Sequence, residues 1–78
     1  MIINIKIKEL REQKGISLRE LENLTGISRG RLADIENKKI PTDKILFVEM
    51  VVIAENLACS ILDLYELTYL ELKGIGEI

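Results

Sequence analysis

The sequence predicts an all-α fold, a compact bundle of five helices in a single domain. Three observations predict it. One proline and five glycines interrupt 78 residues that are 47% hydrophobic and 31% charged, the balance of a folded domain and not of a disordered tail. Apolar residues recur at three- and four-residue spacing along most of the chain. Ser or Thr stands before four of the periodic runs, with glycine or proline near several of their ends. A chain of this length buries about 60–65% of its unfolded surface, so contacts between two copies would add to a modest stability.

The first helix is expected from about Asn4 to Lys14, with Ile7 and Leu10 on one buried face and Gly15 as its stop. Ile3, Ile5 and Ile7 also alternate with polar residues, so a short strand fits the first few positions as well. The second helix opens at Ser17-Leu18-Arg19-Glu20, a capping box in which the serine oxygen accepts from the Glu20 amide. It continues through Leu21 and Leu24 to Thr25-Gly26. Ser28 caps the third helix, where Leu32 and Ile35 share a face, and the helix ends near Glu36 to Lys39. Pro41 disfavours helix at Ile40. Thr42 and Asp43 then start a fourth helix that runs to about Leu57. Apolar residues from Ile45 to Ile53 nearly encircle it, which predicts a central helix or one pressed against a partner. Ser60 with Asp63 marks the start of a fifth helix reaching Leu72. The domain is expected to span residues 1–73, with 74–78 a flexible tail after Gly74-Ile75-Gly76.

Several function classes drop out. The chain has one cysteine and no histidine, which removes disulfides within the chain, ordinary zinc fingers and the Cys-His and Ser-His-Asp nucleophile sets. Cys59 reads as a small core residue. The opening Met1-Ile2-Ile3-Asn4-Ile5-Lys6 lacks the form of a signal peptide, and Glu49, Glu55 and Asn56 break the longest apolar stretch, so no membrane span is expected. A cytoplasmic protein without cofactors, metal or enzymatic activity is the resulting expectation. Net charge is −2, but it is unevenly placed. Residues 1–44 carry ten Lys and Arg against seven Asp and Glu, a net +3, whereas residues 45–78 carry one against six, a net −5. A basic front and an acidic back suit a molecule that turns one face to phosphate.

The informative stretch runs from Leu18 to Ile35. Two short amphipathic helices are separated only by Thr25-Gly26-Ile27, a turn that joins helices at a steep angle. Gly26 reaches a left-handed conformation cheaply. Leu21, Ile27, Leu32 and Ile35 would fix the angle from inside, leaving Arg29, Gly30, Arg31, Ala33 and Asp34 outward. Arg29 can donate two hydrogen bonds to the O6 and N7 of guanine. Gly30 and Ala33 permit close approach, Arg19 and Arg31 suit phosphate contacts, and Asp34 could accept from a cytosine amino group.

Ile7-Lys8-Glu9-Leu10-Arg11, Gly15-Ile16-Ser17, the run from Leu21 to Ser28, Ile35-Glu36-Asn37 and Pro41-Thr42 resemble the Cro/phage-repressor (XRE) helix-turn-helix family in order and spacing. Ala54-Glu55-Asn56-Leu57 and the run from Ser60 to Tyr65 extend the likeness, which covers roughly residues 5–66. The resemblance implies a lambda-repressor-like five-helix DNA-binding domain. It implies an ion pair between Arg11 and Glu36, joining the first and third helices, and DNA contacts from Ser28, Arg29, Gly30, Arg31, Ala33 and Asp34. Ser17, Arg19 and Lys38 complete the candidate set. The chain departs from the family pattern at four places. Glu22 stands where alanine is usual, Leu18 where a polar residue is usual, and Lys38 where glycine is common. About four extra residues lie between Pro41 and Ala54, close to one turn of helix, and are expected to lengthen the fourth helix.

The function expected from these residues is a homodimeric, sequence-specific regulator of transcription, acting as a repressor on a double-stranded operator. Leu64, Tyr65 and Tyr69, in the apolar end of the chain, are the candidate dimer interface. The competing class is a protein-docking module on the same scaffold, an antirepressor or antitoxin-like partner with a regulatory protein as its target. It is favoured by the low positive charge and by Glu22 and Asp34 near the reading surface.

Overall fold

The computed structural model describes residues 2–68, and of residues 2, 67 and 68 the backbone alone. Four α-helices are its main elements: α1 (Ile7–Gln13), α2 (Leu18–Thr25), α3 (Arg29–Glu36) and α4 (Phe47–Asn56). One 3-10 turn, Thr42–Lys44, precedes α4 and another, Ile61–Leu64, follows it. The two ends of the described chain meet in a small antiparallel sheet of β1 (Ile2–Ile5) and β2 (Tyr65–Thr68), with Ile5 opposite Tyr65 and Ile2 opposite Thr68. No helix among the described residues is long and apolar enough to cross a membrane.

The core draws on the four helices, the sheet and the second 3-10 turn. Ile5, Ile7, Leu21, Leu32, Ile35, Met50, Ile53, Ala54, Leu57 and Leu64 are buried, and Leu10, Ile16, Leu18, Ile27, Cys59 and Tyr65 pack around them. Each fully buried leucine or isoleucine contributes about 1.5–3 kcal/mol relative to exposure. Burial is also what pushes the Cys59 thiol above its ordinary value, with Asp63 adding to the shift.

The five-helix expectation is corrected in three places. The fifth helix does not form: Ser60 caps a single 3-10 turn, where its oxygen accepts from the Asp63 amide at 3.3 Å. The chain then extends as β2. Residues 65–68 alternate apolar and polar, and the strand partner is the isoleucine-rich start of the chain, where β-branched residues favour an extended backbone. The Lys6 amide closes the junction by donating to the Leu64 carbonyl at 2.7 Å. The rest of the expected fifth helix, with Tyr69, and the expected tail 74–78 lie outside the described residues. At the other end, residues 2–5 take the strand and α1 begins at Ile7 instead of Asn4. The fourth helix, finally, does not reach back to Thr42 but starts at Phe47. Ile45 and Leu46 are extended, and Glu49 starts the helix by accepting from the Leu46 amide at 2.9 Å.

A left-handed residue follows each of the four helices, Gly26 after α2 among them. After α1 it is Gly15, after α3 Lys38 and after α4 Ala58, with φ of 68°, 60° and 53°. The next amide in these three cases reaches back into the last turn: Ile16 to Arg11, Lys39 to Asp34 and Cys59 to Ala54, at 2.9–3.1 Å. Such bonds satisfy carbonyls that the helix leaves unpaired.

Candidate nucleic-acid interface

Two helices and their turn build the site. Ser17 caps α2, accepting from the Glu20 amide at 3.1 Å and donating to a Glu20 carboxylate oxygen at 3.3 Å. Leu18, where a polar residue was usual, is half-buried and packs on the core. The turn is held by Thr25, whose hydroxyl donates to the Leu21 carbonyl at 2.7 Å and accepts from the Ile27 amide at 3.1 Å. Gly26 is left-handed at φ 76°, a conformation that glycine adopts without the strain of a Cβ. Ser28 then caps α3, accepting from the Arg31 amide at 3.2 Å.

The buried face of α3, Leu32 and Ile35, points to the core beside Leu21. Ser17, Arg19, Ser28, Arg29, Gly30 and Lys38 are exposed, and Ala33 and Asp34 are half-buried. A Cβ added at Gly30 would meet nothing within 4 Å. Lys38 holds the left-handed position where glycine was common, and its ammonium donates to the Asn4 amide oxygen at 3.4 Å.

Arg31 is drawn away from the outward set. Its guanidinium donates to both carboxylate oxygens of Glu49, at 3.1 and 2.9 Å, and to the Lys44 carbonyl at 3.0 Å. Side-chain exposure falls to 34% for Arg31 and 13% for Glu49. The paired hydrogen bonds hold the Glu49 carboxyl below its ordinary range, against the opposing effect of burial. A planar bidentate pair is among the stronger charge-assisted arrangements. Arg31 therefore fastens α3 to the entry of α4.

Arg11 makes the corresponding link on the other side. Its Nε and Nη2 donate to the Glu36 carboxylate at 2.8 and 3.1 Å, and Nη1 donates to the Ile16 carbonyl at 2.7 Å. Exposure of the two side chains is 11% and 3%. α1, the loop before α2 and the end of α3 are thus tied together.

Glu22 has a role that its position alone did not disclose. It reaches across the turn and accepts from the Arg29 amide at 2.7 Å, capping α3 from the preceding helix. Its partner lies seven residues away, on the far side of the Thr25-Gly26-Ile27 turn. The one signal in the sequence was a carboxylate where a small residue was usual. The candidate dimer residue Leu64 is corrected here, because it is fully buried in the core of its own chain and cannot anchor a second copy. Tyr65 is half-buried on β2, and burial raises its phenol above the ordinary value. Apolar surface is instead exposed at Leu46, Phe47 and Val48, with Phe47 at 71%.

Residues 4–72 match a family model described as a helix-turn-helix domain. The chain belongs to the helix-turn-helix domain family. No curated protein matches it. In this helix-turn-helix DNA-binding protein, α2, the Thr25-Gly26-Ile27 turn and α3 are the motif itself. Its capped and solvent-facing start of α3 is the part of the geometry suited to enter a groove.

Proposed function

We propose that this helix-turn-helix protein is a homodimeric repressor of the Cro/phage-repressor type, reading a double-stranded operator with α3 in the major groove. The observation that carries the reading is the outward start of α3. Arg29 is exposed there beside Gly30, and it forms no ion pair among the described residues. Its guanidinium is free to pair with a guanine edge, while Arg19 and Ser17 at the start of α2 suit phosphate contacts. Two copies would set two reading helices about 34–36 Å apart, one helical turn of DNA. Exposed Leu46, Phe47 and Val48 supply apolar surface for the second copy.

The test is selection of the purified protein on a random duplex library at two salt concentrations, repeated with Arg29→Ala. An enriched palindrome is expected, with relaxed preference at one position of each half-site in the variant and a loss of about 1–3 kcal/mol. No enrichment at either salt would defeat the reading. A second reading, a module that docks another protein, is favoured by two observations: Arg31 is withdrawn into its pair with Glu49, and Glu22 places negative charge at the start of α3. A docking module would bind duplex weakly at every salt, without the steep loss of affinity that several phosphate contacts produce.

A further inference from the structure

The capping of α3 has a consequence for how DNA is selected. The first amides of a helix have no partner within it and attract anions, phosphate included. In α3 the Arg29 amide is already taken by Glu22 and the Arg31 amide by Ser28. Glu22 is half-buried and held by a single hydrogen bond, through one carboxylate oxygen. It forms no ion pair among the described residues, where Arg11 joins Glu36 and Arg31 joins Glu49. Hence a fixed negative charge stands at the end of the helix that is to meet DNA. The other acidic groups nearby differ: Glu20 is exposed in the capping box with Ser17, and Asp34 lies in the next turn of α3.

We infer that Glu22 is a specificity-determining residue, whose carboxylate opposes binding to the phosphate backbone alone and is tolerated where a base edge presents an amino donor. The inference rests on the DNA-reading function proposed above. Binding to arbitrary sequence comes almost entirely from phosphate contacts, so an unpaired carboxylate at the entrance weakens it. On the right sequence the same carboxylate can accept from the amino group of cytosine, and the repulsion is offset. Glu22 thereby widens the gap between the operator and all other DNA without adding any attractive contact to the backbone, as specificity often requires.

The experiment compares the full chain with Glu22→Gln and Glu22→Ala on the duplex selected by the parent and on a random duplex, across a salt series. Glutamine keeps an acceptor for the Arg29 amide and removes the charge; alanine removes both. The expected result is that Glu22→Gln binds random duplex about two- to fivefold more tightly at low salt, the range of one screened charge interaction. This gain should shrink as salt rises, and the selected duplex should gain less, so the preference narrows. A purely structural cap would behave otherwise: Glu22→Ala would weaken binding to both duplexes and Glu22→Gln would match the parent. That result overturns the inference, as does an equal gain on both duplexes. Failure of the parent to bind any duplex would end both this inference and the DNA-reading function, whereas unchanged glutamine affinity beside a binding parent would end the inference alone.

Discussion

Lys38 and Ala58 occupy the left-handed positions after α3 and α4, where Gly15 serves after α1. For a residue with a Cβ this conformation costs roughly 1–2 kcal/mol, while glycine loses more freedom on folding by roughly 0.5–1 kcal/mol. The difference favours glycine. Ala58 is the cleaner place to test it, since alanine brings no side-chain partner of its own. Ala58→Gly is expected to stabilise the chain by about 0.5–1 kcal/mol and raise its melting midpoint by about 2–8 °C. Calorimetry checks this, and an unchanged or lower midpoint would mean that the backbone at Ala58 carries no strain. At Lys38 the same exchange would also remove the bond to Asn4 and a candidate DNA contact, so stability and binding would move together there.

Among the elements, α3 shows most clearly how stability and function can pull apart. Gly30 lies in its first turn with open space around it, so the helix has no packing reason for glycine. Alanine in a helix is better by up to about 1 kcal/mol. Gly30→Ala is expected to melt higher than the parent yet bind the selected duplex more weakly, because a methyl group would keep α3 from its close approach. Melting curves and duplex titrations on the same preparation separate the two effects. Full binding by a stabilised variant would take Gly30 out of the interface. The start of α4 illustrates a different balance. Thr42 and Asp43 carry good cap chemistry, but the helix begins later, because Glu49 satisfies the Leu46 amide and Arg31 takes the Lys44 carbonyl.

At the scale of the molecule, two ion pairs brace α3 from either side: Arg11–Glu36 toward α1 and Arg31–Glu49 toward α4. Glu49 sets a pH dependence. Its carboxyl is held below the ordinary glutamate value of about 4.5, first by the hydrogen bonds from Arg31 and then by the Leu46 amide, against desolvation. A carboxyl depressed in the folded state contributes stability that is whole above the unfolded value and is lost as pH falls through the folded value. Asp63, depressed by its bonds with Ser60, acts in the same direction from its ordinary value of 3.8. Stability of the parent is therefore expected to decline as the solution is acidified below about 4.5. Glu49→Gln should be less stable at neutral pH and show a shallower decline in that window. Urea titrations at a series of pH values give the slopes, and parallel profiles for parent and variant would refute the assignment to Glu49.

The sequence alone determined what local chemistry can determine. Ser17 and Ser28 announced the starts of α2 and α3, and Gly15 and Gly26 their neighbouring turns. The spacing of Leu21, Leu32 and Ile35 announced the face that the motif buries. These signals act over a few residues, so the helix-turn-helix was legible before any tertiary contact was known. Tertiary structure decided whatever depends on residues far apart in the chain. A strand is stable only with a partner, and it was the meeting of Ile2–Ile5 with Tyr65–Thr68 that turned the expected fifth helix into a 3-10 turn and a strand and sent Leu64 into the core. The withdrawal of Arg31 to Glu49 and the reach of Glu22 to Arg29 follow from the angles at which helices pack. Those angles are set by the whole core, and no short window of residues encodes them.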